Sequence, residues 1–224
     1  MLAGMAIALN YDGAVAVVTW NDGENRINLD SLDRINEILD ELEAIEGPLS
    51  LVLTGTGKFF CNGLDLERFG SDTNELDATL AELCRMIGRL MVFPAYTVAA
   101  LNGHTFAGGA LISCAFDYRV MRVDRGYWCM NEAEIGMALY DQLWSILSHR
   151  LPRATAVDAM LRAHRFNGPE ALACGIVEST AGELDVVNRA VEVAMAMADT
   201  DRSILRAHKL LAHSEEASRL GFSV

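Results

Sequence analysis

The sequence predicts a mixed α/β fold whose first two thirds alternate short strands with helices and whose last third is helical. Three observations predict it: Val-rich apolar runs of strand length bounded by turn formers, amphipathic helical periods between them, and the loss of strand-like runs beyond Asp141. With 51% apolar residues in a chain of 224, a packed core in one compact domain is the default.

Residues 7–9 and 14–20 are apolar runs separated by Asn10-Tyr11-Asp12-Gly13, which reads as a hairpin, and Asn21-Asp22-Gly23 stops its second strand. From Asp30 the pattern changes. Leu32, Ile35, Ile38, Leu39, Leu42 and Ile45 recur at steps of three and four, an amphipathic helix capped by Asp30 or Ser31 and ended by Gly47-Pro48. Residues 49–54 form a short apolar strand ending at Gly55-Thr56-Gly57. Residues 75–93 are again helical in period, and Pro94 closes them. Residues 97–101 read as a strand, followed by Asn102-Gly103-His104 and by Ala107-Gly108-Gly109-Ala110, from which an apolar helix runs to about Phe116. Residues 118–121 and 127–130 are two more short strands. Breaks at Pro152, Gly168-Pro169 and residues 175–182 divide the helical remainder, whose last helix spans 203–220.

Charge narrows the function classes. The chain carries 18 basic and 31 acidic side chains for a formal net charge of −13, and its cations are 16 Arg and 2 Lys without a basic run. Such a surface repels phosphate backbones and anionic lipid, so neither nucleic acid nor a membrane surface is an expected partner. No stretch approaches the ~18 apolar residues of a membrane span. The five cysteines are an odd count without a Cys-x-x-Cys spacing, which fits a reducing compartment. Residues 1–9 have no basic residue before them and no long apolar region, so no secretory leader is read and the expected address is cytoplasmic.

Three local features carry chemistry. Phe59-Phe60-Cys61-Asn62-Gly63-Leu64-Asp65-Leu66 runs from a strand through a turn into a short helical pattern. In Asn102-Gly103-His104-Thr105-Phe106-Ala107-Gly108-Gly109, adjacent glycines open a helix. Each loop can present a backbone N–H to a developing oxyanion, since the first N–H groups of a helix lack partners. Taken singly, each is equally a packing or turn device. The third feature is Glu132, with Glu134 beside it, at the end of the aromatic and apolar run Tyr127-Trp128-Cys129-Met130. A desolvated carboxylate there is a better base near neutral pH, whereas a solvated one is only a turn residue.

Order and spacing join the three. Phe60-Cys61-Asn62-Gly63-Leu64-Asp65-Leu66, then Asn102-Gly103-His104 with Gly108-Gly109-Ala110-Leu111, then Asp117-Tyr118-Arg119-Val120, then Asn131-Glu132 with Ile135-Gly136, closely resemble the crotonase superfamily, also called the enoyl-CoA hydratase/isomerase family. The likeness reaches about Val177 through Asn167-Gly168-Pro169-Glu170-Ala171 and Gly175-Ile176-Val177.

That resemblance implies a crotonase-like spiral of ββα units over residues 1–180, with a helical C-terminal region, 181–224, serving trimerisation. It implies an acyl-CoA thioester as substrate, no separate cofactor, no metal, and a homotrimer or a dimer of trimers. By position, the two oxyanion N–H groups fall on Asn62 and Gly108. Asp65 caps the short helix after the first loop. Hydratases resembling this chain use two glutamates; the first position is Leu111 here and the second is Glu132. A lone carboxylate resembles the Δ3,Δ2-enoyl-CoA isomerases, in which one acid removes the C2 proton and returns it at C4.

Leu111, Met137, Leu139, Tyr140 and Trp144 are the expected apolar walls. Acyl-CoA contacts are expected from Arg26 and Asn28, from Cys61, Gly63, Leu64 and Leu66, and from Gly109, with Arg26, Lys58 and Lys209 as phosphate partners by position. Glu134 is assigned a structural role, on the same face as Glu132 if the strand persists. His104 reads as a buried, hydrogen-bonded histidine, and Cys61, Cys129 and Met130 as core. Asp141 is either a second pocket acid or the cap of a helix beginning at Gln142. Alternatives to the isomerase are hydration, thioester hydrolysis or decarboxylation on the same scaffold, or a non-catalytic acyl-CoA-binding subunit.

Overall fold

A computed structural model describes residues 6–70 and 73–224; residues 1–5, on which part of the leader reading falls, lie outside the described residues. The hairpin forms from β1 (Ile7–Asp12) and β2 (Val15–Trp20), antiparallel around Gly13, whose φ of +57° supplies the left-handed turn. α1 (Leu29–Glu43) follows, and its cap is Asn28 rather than Asp30 or Ser31. Asn28 Oδ1 accepts the Ser31 N–H while Ser31 Oγ accepts the Asn28 N–H, so the helix begins two or three residues earlier than its apolar period marks.

β3 (Ser50–Gly55), β4 (Phe59–Cys61), the short α2 (Leu66–Phe69) and α3 (Thr73–Met91) come next. They are followed by β5 (Tyr96–Leu101), β6 (His104–Phe106) and α4 (Gly108–Cys114), then by β7 (Tyr118–Arg122) and β8 (Trp128–Cys129). The helices α5 (Asp141–Arg150), α6 (Arg153–Arg162) and α7 (Gly168–Ala173) lead to β9 (Ser179–Ala181), α8 (Val186–Met195) and α9 (Arg202–Arg219).

After the hairpin, the strand pairs β3 and β4, β5 and β6, and β7 and β8 each divide between two sheets. The large sheet has the order β1-β2-β3-β5-β7-β9, parallel except for the hairpin, and the small parallel sheet has the order β4-β6-β8. β3 shows why its run reads as unbroken apolar sequence. Leu51 and Leu53 face the main core, whereas Val52 joins Val15, Val98 and Val120 against Val186, Ala190 and Ala194 of α8. β9 was not foreseen, because Ser179-Thr180-Ala181 is three half-buried residues without an apolar alternation.

α9 is fastened to the body by polar ties. Lys209 is 5% exposed, with Nζ 2.6 Å from Asp117 Oδ2 and donating to Ala95 O at 2.8 Å, so it is structural and not a phosphate partner. His149 Nε2 and His213 Nδ1 lie 2.8 Å apart between α5 and α9. Gly88 of α3 has no side chain because Ala217 of α9 and Phe222 occupy that space, within about 3 Å of where a Cβ would stand. Asp117-Tyr118-Arg119-Val120 likewise serves the fold. Asp117 accepts the Thr97 N–H at 2.8 Å, and buried Arg119 pairs with Glu178 at 2.5 Å. No helix among the described residues is long and apolar enough to cross a membrane.

Candidate active site

The small sheet determines where the site lies. β4, β6 and β8 are parallel, so the three chains leaving their C-terminal ends, 62–65, 107–108 and 130–140, emerge at one edge. Between them and helices α3 and α5 is a cavity of about 290 Å³.

Glycine brings the first two loops into contact. A Cβ on Gly63, whose φ is +82°, would stand 2.9 Å from Ala107 Cβ and 3.5 Å from Gly108 N. A Cβ on Gly109 would stand 2.6 Å from Cys61 O. Ala107 itself has φ +48° and ψ −116°, a strained conformation for alanine, and donates its N–H to Cys129 O at 2.9 Å. Ala107 and Gly108, where the chain enters α4, both line the cavity.

The donors differ from the expected pair. Asn62 donates its backbone N–H to Glu24 O at 3.1 Å and its Nδ2 to Glu24 Oε2 at 2.8 Å, so its N–H is already committed. Two residues on, Leu64 lies in a parallel bridge with Ile27. There Gly63 O accepts the Ile27 N–H and Ile27 O accepts the Asp65 N–H. Among the described residues neither the Leu64 N–H nor the Gly108 N–H has an acceptor, and both residues line the cavity. Sequence reasoning missed Leu64 as a donor because the Glu24 contact that occupies Asn62 is 38 residues away along the chain.

β8 ends at Cys129, and the chain then folds into a turn in which Asn131 O accepts the Glu134 N–H and Glu132 O accepts the Met137 N–H. The strand does not persist, so Glu132 and Glu134 do not share a face. Glu132 lines the cavity, and burial pushes its carboxyl above the usual carboxylate range, opposed by a hydrogen bond from its own backbone N–H. No cation pairs with it among the described residues. Glu134 points away to Arg165, with contacts of 2.7 and 3.1 Å, a structural role as expected.

The expected walls are mostly present. Leu111, Met137, Leu139 and Tyr140 line the cavity with Leu64 and Leu66. Trp144 does not; it packs on the core with Arg153 5.9 Å from its ring. Leu80 and Leu83 of α3, Leu143 of α5 and Ile135 complete the lining. Helical period marked the α3 leucines as apolar, but that signal is the same for a pocket wall and for core. Asn28, Cys61, Gly63 and Gly109 stand behind the wall as cap, packing and close-approach residues rather than lining it. The Cys61 and Cys129 thiols are both pushed up to about 12 by burial, as fits inert core residues.

Arg26 stands at the mouth, held by Glu24 at 2.8 Å, Glu67 at 3.2 Å and Asp65 at 3.6 Å. Asp65 caps α2 as expected, accepting the Arg68 N–H. Lys58 is exposed, its ammonium 5.2 Å from the Phe59 ring centre. His104 departs from the expected hydrogen-bonded state. It is half-buried among Phe59, Phe106 and Tyr127 at 5.1–5.7 Å, its Nδ1 has no partner among the described residues, and burial lowers its pKa. Asp141 neither lines the cavity nor caps by side chain. It opens α5, whose cap position is Tyr140, and is 81% exposed at 3.8 Å from Arg219.

Known proteins share this fold. The family model described as enoyl-CoA hydratase/isomerase matches residues 10–220. The peroxisomal enoyl-CoA delta isomerase 2 of Arabidopsis thaliana is 33% identical over 169 residues, 71% of this chain and 70% of that protein. A putative enoyl-CoA hydratase of Thermus thermophilus is 35% identical over 196 residues, 84% of this chain and 74% of that one. Among solved structures, a probable enoyl-CoA hydratase of Mycobacterium tuberculosis superposes with a TM-score of 0.90 at 26% identity, covering 96% of this chain and 92% of that one. Human mitochondrial delta3-delta2-enoyl-CoA isomerase superposes with a TM-score of 0.86 at 26% identity, covering 97% and 86%. With a spiral of ββα units, three loops converging on one cavity and a family match over nearly its whole length, the chain belongs to the enoyl-CoA hydratase/isomerase family, the crotonase superfamily.

Proposed function

We propose that this chain is an enoyl-CoA isomerase that moves a double bond from position 3 to position 2 of an acyl-CoA thioester, with Glu132 as its proton shuttle. One observation carries the reading. Among the described residues two carboxylates line the cavity; Glu67 is 83% exposed and bound to Arg26, which leaves Glu132 as the one inside, and Leu111 is part of the same lining. Hydration by two carboxylates lacks its second acid there.

In the proposed reaction ionised Glu132 takes the C2 proton, and the electron pair left on C2 is shared with the thioester oxygen through C1 and with C4 through the 3,4 double bond. The Leu64 and Gly108 N–H groups are the donors proposed for that oxygen, since they are unoccupied and backed by loops in contact. Protonated Glu132 then returns the proton at C4. Apolar walls support such a shuttle, because water beside the dienolate would exchange the proton. The names of the plant relatives support the isomerase; the Thermus relative carries a hydratase name, and the Mycobacterium tuberculosis protein is named a probable hydratase in one solved structure and an isomerase in another.

The test is conversion of trans-3-hexenoyl-CoA to the 2-enoyl thioester by wild type and Glu132→Gln. Activity is expected to fall about 10²- to 10⁴-fold in the variant. Equal activity in the two proteins, or faster formation of 3-hydroxyacyl-CoA from a 2-enoyl-CoA by wild type, overturns the reading. A homotrimer or hexamer belongs to the same proposal, for which the exposed Leu161 of α6, 65% open, is a candidate contact. So does a cytoplasmic address, for which the five unpaired cysteines speak, although two of the plant relatives are named peroxisomal.

A further inference from the structure

We propose that Glu24 is a positioning residue for the oxyanion donors, aiming the Leu64 N–H through its hydrogen bond to the Asn62 side chain. The proposal rests on the donor assignment above and adds the group that fixes the direction of one donor. Leu64 follows Gly63, whose φ is +82° and whose backbone turns more freely than that of any other residue type, so the aim of the Leu64 N–H depends on what holds the chain on either side. On the far side the hold is the bridge to Ile27, where Gly63 O accepts the Ile27 N–H at 2.8 Å and Ile27 O accepts the Asp65 N–H at 2.9 Å. On the near side Glu24 holds Asn62 at two points. Its backbone oxygen accepts the Asn62 N–H at 3.1 Å, and its Oε2 accepts from Asn62 Nδ2 at 2.8 Å. Two bonds to one residue fix an orientation that a single bond leaves free to swing.

Glu24 can serve in this way because its own segment is rooted in the body. Asn25 is fully buried; its Nδ2 donates to Phe59 O at 3.2 Å and to Phe60 O at 3.1 Å, and its Oδ1 accepts the Asp22 N–H at 2.8 Å. Ile27 is fully buried as well and meets both donor loops. Its backbone bridges to Leu64, and its Cδ1 lies 2.6 Å from where a Cβ on Gly108 would stand. Residues 24–27 therefore reach from one donor to the other and set their spacing.

Magnitudes favour a kinetic role over a structural one. The Glu24 side chain is 40% exposed, and an exposed ion pair adds little to stability. Misplacing a reacting group by about 1 Å costs on the order of 10²-fold in rate, so a bond that is weak for folding can be strong for turnover. Chemistry narrows the requirement further. One oxygen, Oε2, accepts from both Asn62 Nδ2 and Arg26 Nε, each at 2.8 Å. A glutamine oxygen at that place can accept both bonds without the charge, whereas alanine accepts neither.

Acetoacetyl-CoA tests this without isomerisation. It has no 3,4 double bond to move, and its enolate absorbs in the near ultraviolet where the keto form does not, so the enolate-to-keto ratio of the bound ligand reads the donors directly. Wild type should raise that ratio above the value for free ligand at the same pH. Asn62→Ala and Glu24→Ala should each lower it by about tenfold, part of the loss expected for a missing donor. Glu24→Gln should stay within about twofold of wild type. With trans-3-hexenoyl-CoA, kcat should follow the same order, and KM should stay within about twofold in Asn62→Ala, which leaves Arg26 paired. If Glu24→Ala does not fold, Asn62→Ala cuts the same bond from its other end and leaves the backbone tie in place. Unchanged enolate ratios in the alanine variants, a rise in KM with kcat intact, or a loss in Glu24→Gln as deep as in Glu24→Ala overturns the positioning role while the donor assignment stands. A wild type that leaves bound acetoacetyl-CoA at the free ratio overturns both.

Discussion

The mouth and the interior of one pocket handle carboxylates in opposite ways. At the mouth a single guanidinium, Arg26, is shared by Glu24, Asp65 and Glu67, and hydrogen bonds from Arg26 and Asn62 hold Glu24 below the usual carboxylate range. Inside, Glu132 has no cation beside it among the described residues, and burial raises its pKa. The difference is access to water. An exposed carboxylate meets a cation at little cost and gains geometry, so the mouth acids become anchors for the loops. A desolvated carboxylate without a cation holds a proton more readily, which is what a proton shuttle requires. Glu134 supports the contrast: two residues along the same turn it is exposed, and it is paired with Arg165.

The largest expected effect after loss of Glu132 itself comes from prising apart the loops that frame the interior. Gly63→Ala places a Cβ 2.9 Å from Ala107 Cβ and 3.3 Å from Phe106 O at a left-handed φ. Backbone must shift, and the Leu64 and Gly108 donors separate. Turnover should drop by about 10²- to 10³-fold, the loss typical of a missing oxyanion donor. Thermal unfolding should show a cost of about 1–3 kcal/mol from the strained alanine. Wild-type turnover in Gly63→Ala would break the link between loop contact and interior chemistry.

Legibility follows the same division. Strand runs, helical periods and the glycine loops were readable because each is written in a few consecutive residues. Glu132 was readable only through the order and spacing it shares with the two glycine loops, which carry the family resemblance; its place after the apolar run alone reads as a solvated turn. What could not be read depends on partners distant in sequence. Asn62 looks like a free donor until Glu24 is placed beside it, and Lys209 looks like a surface cation until Asp117 and Ala95 surround it. Leu80 and Leu143 gave only an apolar period, which does not distinguish a wall from core. Whether the strand persists from Glu132 to Glu134 was left open, because the bonds that make the turn, to Asn131 O and Glu132 O, involve a segment with neither Pro nor a two-residue hairpin signal.

The interior half of the comparison also predicts pH behaviour. Glu132 must be ionised to take a proton, so kcat/KM should rise through its elevated pKa and level off above it, and a profile flat from pH 4 to 8 would show that another group is the base. For stability the sign is reversed. Between the ordinary and the raised pKa the folded state binds more protons than the unfolded chain, so the Glu132 contribution to stability falls as pH rises through that window. Glu132→Gln removes this penalty, and at pH 8 it should melt about 1–3 °C higher than wild type. At pH 4 the two should melt together. A variant that melts lower at pH 8 would mean that the Glu132 carboxylate is stabilised in a way the apolar walls do not provide.

The smallest expected effect tests the mouth. A CoA thioester is a polyanion, and it must pass one guanidinium that faces three carboxylates on a chain of net charge −13. Glu67 is the most exposed of the three and the least needed for the fold, since Glu24 also binds Asn62 and Asp65 caps α2. Neutralising it in Glu67→Gln frees part of Arg26 for a phosphate and removes one repulsive charge. KM should fall by about twofold at low ionic strength with kcat unchanged, the scale of an exposed ion pair. With a screening length near 3 Å at about 1 M salt, the gap between variant and wild type should close. Arg26→Ala should move KM the other way, because the remaining carboxylates then meet the ligand unopposed. If Glu67→Gln changes kcat rather than KM, the mouth and the interior are not electrostatically separate. The carboxylates at the two ends of the pocket would then act on one reaction coordinate.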